Sequence, residues 1–169
     1  SFLDEMPPGR MPVRTTVLRP ELRARLHERM AAQMRAGRQC YIVYPLVEES
    51  EKVDLRAATA MATELKEVFG EFEVALLHGR MKSDGKDAVM RAFAAGALHL
   101  LVATSVVEVG VDVPNATVMV IEHAERFGLS QLHQLRGRIG RGAHESTCVL
   151  VYQAPWSDDA RERLKAMAA

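Results

Sequence analysis

Cys40-Tyr41-Ile42-Val43-Tyr44-Pro45 is a short, almost uniformly apolar run stopped by a proline. A strand with one wet face alternates apolar and polar residues, so a run without alternation reads as a strand covered on both faces, as in a parallel sheet between two layers of helices. The segments on either side fit that reading. Before it, Leu22, Leu26, Met30 and Met34 recur every four residues from Pro20, a favourable first helical position, until Gly37 closes the helix. After it, Leu55, Ala58, Met61, Leu65 and Val68 mark a second helical stripe, with Gly70 at the expected cap, and Val74-Ala75-Leu76-Leu77 reads as the next strand. The alternation continues with a helix from about 83 to 95 that presents Val89, Ala92 and Phe93 and stops at Gly96. Strands over 98–103, 117–121 and 147–152 and a helix opening at Ser130 complete it. This order predicts an α/β fold, a parallel sheet with helices on both faces.

Bulk composition narrows the function classes. A length of 169 residues suits one domain, and 48% hydrophobic with 26% charged residues excludes disorder and fibrous repeats. With 22 basic against 22 acidic residues the chain does not coat nucleic acid by bulk charge, so any DNA contact is local. Cys40 and Cys148 each lie in an apolar strand, where a small buried thiol is ordinary, and no ligand spacing suggests a metal. No run approaches the roughly 20 apolar residues of a membrane span, and the start lacks a signal-peptide pattern, which makes a cytoplasmic setting the expectation. The absence of an initiator methionine suggests an excised piece of a longer protein, with removal by processing as the alternative. Pro7-Pro8-Gly9, Pro12 and an extended Thr15-Thr16-Val17-Leu18 read as an interdomain linker over residues 1–19 leading into a strand. Residues 20–155 read as the domain proper, and 156–169 as the charged start of a longer helical element without a partner in this chain.

In open α/β sheets ligands gather beyond the carboxyl ends of the strands, where loops and helix N-termini converge. Two such turns carry phosphate chemistry: His78-Gly79-Arg80 and Thr104-Ser105 combine close backbone approach, a cation and hydroxyl donors. Helix-capping hydroxyls and a tight-turn glycine are the structural alternative. The densest feature is Gln134-Leu135-Arg136-Gly137-Arg138-Ile139-Gly140-Arg141-Gly142. Glycine costs roughly 1 kcal/mol relative to alanine inside a helix, so three so close together require a helix end or close backbone approach. If the helix from Ser130 persists to about Gly140, Gln134, Arg138 and Arg141 fall at i, i+4 and i+7 on one face, and Arg136 points elsewhere. Such a row suits a polyphosphate, because each guanidinium offers a planar fork of donors that stays charged; a solvated basic face is the alternative. Glu108, Gly110 and Asp112 interrupt an apolar run just beyond a buried strand. Glu108 or Asp112 could pair with the arginine cluster, or Asp112 could accept from a sugar hydroxyl.

At these residues the chain resembles a known family. ATSVVEVGVDVPNA (103–116) and QLHQLRGRIGRG (131–142) look like motifs V and VI of superfamily 2 helicases. With LHGRM (77–81), YPLVEESE (44–51) and DEMPPGR (4–10) the resemblance narrows to the RecG-like ATP-dependent DNA helicases and covers essentially the whole chain. Transcription-repair coupling factors share similar motifs V and VI, but the acidic segment and the Pro-Pro-Gly-Arg linker look like RecG. The resemblance implies the second of two RecA-like domains that hold ATP between them. It implies that Arg138 and Arg141 reach the nucleotide phosphates as arginine fingers, with Gln134 positioning phosphate or water, and that Gly110 and Asp112 lie near the nucleotide sugar. His78, Gly79, Arg80, Thr104 and Ser105 would touch the DNA backbone, and Glu108 would couple motif V to motif VI. The partners implied are the first RecA-like domain, ATP with Mg2+, and branched double-stranded DNA such as stalled forks and four-way junctions, acted on by a nucleoid-associated monomer in repair and recombination. The chain itself contains no G-x-x-x-x-G-K-[ST] loop and no Asp-Glu pair ending an apolar strand. Phosphate and magnesium would therefore be held mainly by the first domain, and this chain alone would be inactive. A non-catalytic DNA- or protein-binding module with the same fold is the alternative.

Overall fold

Parallel strands expose two apolar faces, and each must be covered. In a computed structural model, which describes residues 12–45, 51–104 and 113–169, six strands form one sheet. They are β1 (Val13–Leu18), β2 (Gln39–Val43), β3 (Val74–Leu77), β4 (Leu100–Ala103), β5 (Ala116–Ile121) and β6 (Ser146–Val151). Their order is β1-β6-β5-β2-β4-β3, with every neighbouring pair parallel. One layer of helices contains α1 (Arg23–Arg35), entered through a 3-10 turn at Pro20–Leu22, and α2 (Glu51–Val68). The other contains α3 (Ser83–Ala94), α4 (Leu129–Arg136) and α5 (Asp158–Ala168).

The central strand shows why the apolar run does not alternate. Cys40 and Ile42 belong to the core under α1 and α2, with Leu26, Met30, Met34, Ala58, Ala62 and Leu65. Tyr41 and Val43 belong to the opposite core with Phe93, Leu132, Leu135 and Leu164. Both thiols are buried, and burial pushes Cys40 and Cys148 each up to about 12, so neither is a thiolate near neutral pH. At the amino ends of the strands, buried Gln39 donates to the carbonyls of Phe93 (2.6 Å) and Leu98 (2.7 Å). It accepts from Asn115 Nδ2 (3.1 Å), joining the turns before β2, β4 and β5.

Several elements differ from the sequence reading. Val68, assigned to the apolar stripe of α2, is half exposed; the buried row is Ala58, Ala62 and Leu65, continued by Phe69, because four-residue steps carry the stripe past position 68. Gly37 and Gly96 close α1 and α3 with left-handed backbone (φ 91° and 83°), whereas Gly70 does not adopt that conformation. The strand expected over 98–103 starts at Leu100. Residues 13–18 are the edge strand of the sheet, in register with β6 from Val13↔Ser146 to Leu18↔Val151. The terminal helix, read as lacking a partner, has one: Ala160, Leu164 and Met167 are buried against the β1 and α4 side of the core. Every third or fourth residue of α5 is apolar, which is the stripe a docked helix requires.

Phe93 has no solvent-exposed surface and packs against Tyr41 with ring centroids 4.9 Å apart. Phe93→Ala is expected to lower the stability of the fold by about 3–5 kcal/mol, read from the urea unfolding midpoint at unchanged m-value.

Candidate nucleotide and nucleic-acid interface

After β2 the chain runs toward the β4–β3 edge; after β5 it runs toward the β6–β1 edge. The topological switch point therefore lies between β2 and β5, the place where open sheets leave a crevice at their carboxyl rim. Here it is filled by the protein's own polar groups. Glu122, the residue after β5, is almost wholly buried, and Arg23 in the first turn of α1 grips it with two hydrogen bonds, Nη2 to Oε1 at 2.7 Å and Nε to Oε2 at 3.2 Å. A bidentate guanidinium–carboxylate pair satisfies both oxygens and compensates for their desolvation. The hydrogen bond to Glu122 raises the Arg23 pKa, outweighing the effect of burial. The ring of Tyr44 packs edge-on against His123, centroids 5.6 Å apart, and burial together with the Glu122 charge pushes the Tyr44 phenol upward.

His123 carries φ 48°, the one positive value among described non-glycine residues, and turns the chain sharply out of β5. The loop it starts is held at three further points. The amide of Gln153 donates to Glu125 Oε1 (2.8 Å), and Arg163 on α5 donates to the carbonyls of Glu125 (2.9 Å) and Phe127 (3.2 Å). Gln131 Oε1 accepts from the amide of Gly128, starting α4. These anchors fix where the glycine- and arginine-rich segment begins.

That segment is not one continuous helix. α4 stops at Arg136, so the shared i, i+4, i+7 face expected for Gln134, Arg138 and Arg141 does not exist. Each of the three glycines marks a reason. Gly137 caps the helix, its amide bonded to the His133 carbonyl at 3.0 Å. Gly140 is left-handed at φ 77°. Gly142 lies so close to the backbone that an added Cβ would sit 2.6 Å from the Pro114 carbonyl oxygen. Gln134 is exposed on the last turn and Arg138 is half-buried in the turn beyond the cap. Arg141, exposed after Gly140, folds back so that its Nε donates to the Gly137 carbonyl at 3.0 Å. Gln134 and Arg138 thus flank the carboxyl end of α4 along the chain and Arg141 folds back onto it, where the helix dipole favours cations. Arg136 does point elsewhere: it donates to the Met167 carbonyl (3.1 Å) and to Thr15 Oγ1 (3.3 Å), tying α4 to α5 and β1.

The other candidate residues sit at strand ends toward the far edge. His78-Gly79-Arg80 forms a tight turn after β3, with the Met81 amide bonded to the His78 carbonyl (3.2 Å) and the Arg80 amide to His78 Nδ1 (3.2 Å); Gly79 and Arg80 are exposed. Thr104 neighbours that turn, its amide bonded to the Leu77 carbonyl, but it is fully buried, and its hydroxyl has no hydrogen-bond partner among the described residues. Ser105, Glu108, Gly110 and Asp112 lie outside the described residues, as do the Pro-Pro-Gly linker and residues 46–50 of the acidic segment. The contact between Gly142 and Pro114 is a direct link between the glycine-rich string and the end of the 103–116 string. Sequence reading missed the Arg23–Glu122 pair, whose members are 99 residues apart. A lone carboxylate directly after the uninterrupted apolar run 118–121 was the available signal.

The helicase conserved C-terminal domain family matches residues 21–143. An ATP-dependent DNA helicase RecG of Acidithiobacillus ferridurans is 54% identical over 167 residues, which is 99% of this chain and 24% of that protein. The chain thus spans about a quarter of the length of this relative. Among solved structures, RecG bound to a three-way DNA junction superposes with a TM-score of 0.81 at 43% identity, covering 97% of this chain and 21% of that one. The C-terminal domain of Saccharomyces cerevisiae Dbp5 bound to Gle1 and IP6 gives 0.64 at 15% identity, covering 92% and 83%, a likeness of fold alone.

Gly142→Ala is expected to destabilise the chain by about 1–3 kcal/mol, because the methyl group must push against backbone rather than a mobile side chain. An unchanged thermal midpoint would show that the two strings are not in this contact. Burial lowers the pKa of both His27 and His123, so the unfolded chain binds more protons than the folded one below the ordinary histidine value. Their contribution is complete above about pH 6.5 and is lost as pH falls below it. The urea midpoint should drop between pH 7 and 5.5, with a shallower drop in His27→Phe.

Proposed function

Because this chain belongs to the helicase conserved C-terminal domain family, with a RecA-like fold, we propose that it is the second motor domain of an ATP-dependent helicase acting on branched DNA. The observation that carries this reading is the end of α4. Arg138 and Arg141 lie on a glycine-built turn just past Gln134, and the helix that leads to it is anchored at its start by the loop bonded to Gln153 and Arg163 and at its end by Arg136, an arrangement suited to presenting guanidiniums to a phosphate held by another lobe. The relative named an ATP-dependent DNA helicase, and the solved RecG on a three-way DNA junction, support the substrate class.

In this reading a P-loop domain binds ATP and Mg2+, and Arg138 and Arg141 complete the site from across the cleft. Arginine fingers neutralise charge that builds on the transferring phosphoryl group and are worth roughly 10³–10⁵ in rate. Gln134 orients phosphate or water, and Gly110 and Asp112 face the nucleotide sugar. His78, Gly79, Arg80 and Ser105 contact the DNA backbone, the buried Thr104, bonded to Leu77, holds the neighbouring strand end, and Glu108 couples the two. The Gly142–Pro114 contact gives that coupling a backbone route: a shift of the arginine turn on ATP release moves the segment leading back to the DNA-facing strand end. The working unit is a monomer associated with the nucleoid.

Joined to its P-loop domain, the wild-type protein should hydrolyse ATP in response to DNA. Arg138→Ala and Arg141→Ala should each reduce turnover by about 10³-fold or more with unchanged circular dichroism. Near-normal turnover in both variants would remove the finger assignment. The 169-residue chain by itself should show no measurable turnover.

A further inference from the structure

At the β1 edge of the sheet, away from the α4 turn, a cleft of about 440 Å3 opens between the ends of β1 and β6 and one face of α5. Its lining is Val17, Arg19, Tyr152, Trp156, Arg161, Leu164 and Lys165: three cations, an aromatic pair, two aliphatic side chains and no carboxylate. The rings of Tyr152 and Trp156 stack face to face, 3.9 Å apart and 4° from parallel, and the Arg161 guanidinium lies 5.5 Å from the centre of the indole. Lys165 approaches Glu162 at 4.0 Å, an exposed pair of little consequence. Arg19 and Arg161 form no ion pair among the described residues, and both are exposed.

In a chain with no net charge this concentration of one sign is local. The stack holds Trp156 rigid, the indole in turn orients Arg161, and the α5 spacing i, i+4 sets Arg161 and Lys165 side by side. These two neighbouring cations, lining one cleft with Arg19, match consecutive phosphates of a nucleic-acid backbone. The cleft also lies at the carboxyl rim, the same rim that carries the His78-Gly79-Arg80 turn at the opposite edge strand. Five strand spacings of about 4.8 Å separate the two edges, roughly 24 Å. At about 3.4 Å per base pair, that is the length of about seven base pairs of duplex.

We propose that the Arg19, Arg161 and Lys165 cleft, walled by the Tyr152–Trp156 stack, is a second contact for the DNA phosphodiester backbone, separate from the strand-end turns and the arginine turn. It rests on the reading of the domain as a DNA motor and deepens it, because a contact at each end of the rim keeps the duplex aligned while the arginine turn responds to ATP.

Trp156 is the only tryptophan in the chain, so its emission reports on this cleft directly. Titrating the 169-residue chain with an unlabelled 20-base-pair duplex at low salt should change Trp156 emission saturably. A fluorescein-labelled duplex followed by anisotropy should give the same midpoint. Arg19→Gln and Arg161→Gln should each weaken both signals several-fold and lower the slope of log affinity against log salt by about one. Arg161→Glu should weaken them at least tenfold, while Arg141→Ala should leave the emission change in place. Binding by anisotropy with unchanged Trp156 emission, and with affinity unaffected by the arginine substitutions, would overturn the cleft while leaving the motor reading intact. Absence of duplex binding at low salt would overturn the cleft as well, and loss of the motor reading would show separately as DNA-independent turnover in the protein joined to its P-loop domain.

Discussion

A parallel sheet buried on both faces leaves chemistry only one place to go. Cys40, Ile42 and their neighbours are committed to one core, Tyr41 and Val43 to the other, and the strand ends are the remaining surface where backbone donors and side chains can meet a ligand. The functional arrangement follows from that constraint. The chain must leave each strand at the rim, and the turns it makes there are the candidate sites.

The two ends of the sheet carry different structures. At the switch point between β2 and β5 the crevice is closed by the Arg23–Glu122 pair, with Tyr44 and His123 packed beside it. Removing Arg23 would strand the buried Glu122 carboxylate, a defect that typically costs about 3–5 kcal/mol. That cost makes the exit from β5 rigid. At the other end of α4, beside the amino end of β5 where Gly142 meets Pro114, the left-handed Gly140 and the close-packed Gly142 hold a backbone that a side chain would strain, and the arginines next to them are carried on a scaffold set by backbone rather than by helix. Arg136 and Arg163 then lock α4, its preceding loop and α5 together through carbonyl contacts. A device that must place a guanidinium accurately against a phosphate needs this kind of support, because small displacements of a charged group weaken its effect on a transition state.

Legibility in the sequence followed the range of the interaction. Strands β2, β3 and β5 and helix α3 were readable to within a residue or so, because periodicity, prolines and helix-ending glycines act locally. The glycine-rich string was readable as to cause, a helix end plus close approach, but not as to geometry. Whether the helix stopped at Arg136 or ran to Gly140 depends on a left-handed residue and on Pro114, which is far away in the chain. The docking of α5 was hidden because its partners, β1 and α4, lie at the other end of the sequence or carry few apolar residues. No local signal marks Arg23, because only the fold brings Glu122 beneath it. The cleft beside Trp156 was likewise invisible, since Arg19, Tyr152 and Arg161 meet only through the pairing of β1 with β6.

Guanidiniums at the end of α4 serving a nucleotide bound elsewhere are the centre of the proposed mechanism. The most direct measurement is a structure of the complete protein on a forked duplex with an unhydrolysable ATP analogue. Arg138 and Arg141 should lie within hydrogen-bonding distance of the terminal phosphates. Both side chains directed away from the nucleotide, with the phosphates neutralised by groups of the first domain alone, would contradict it.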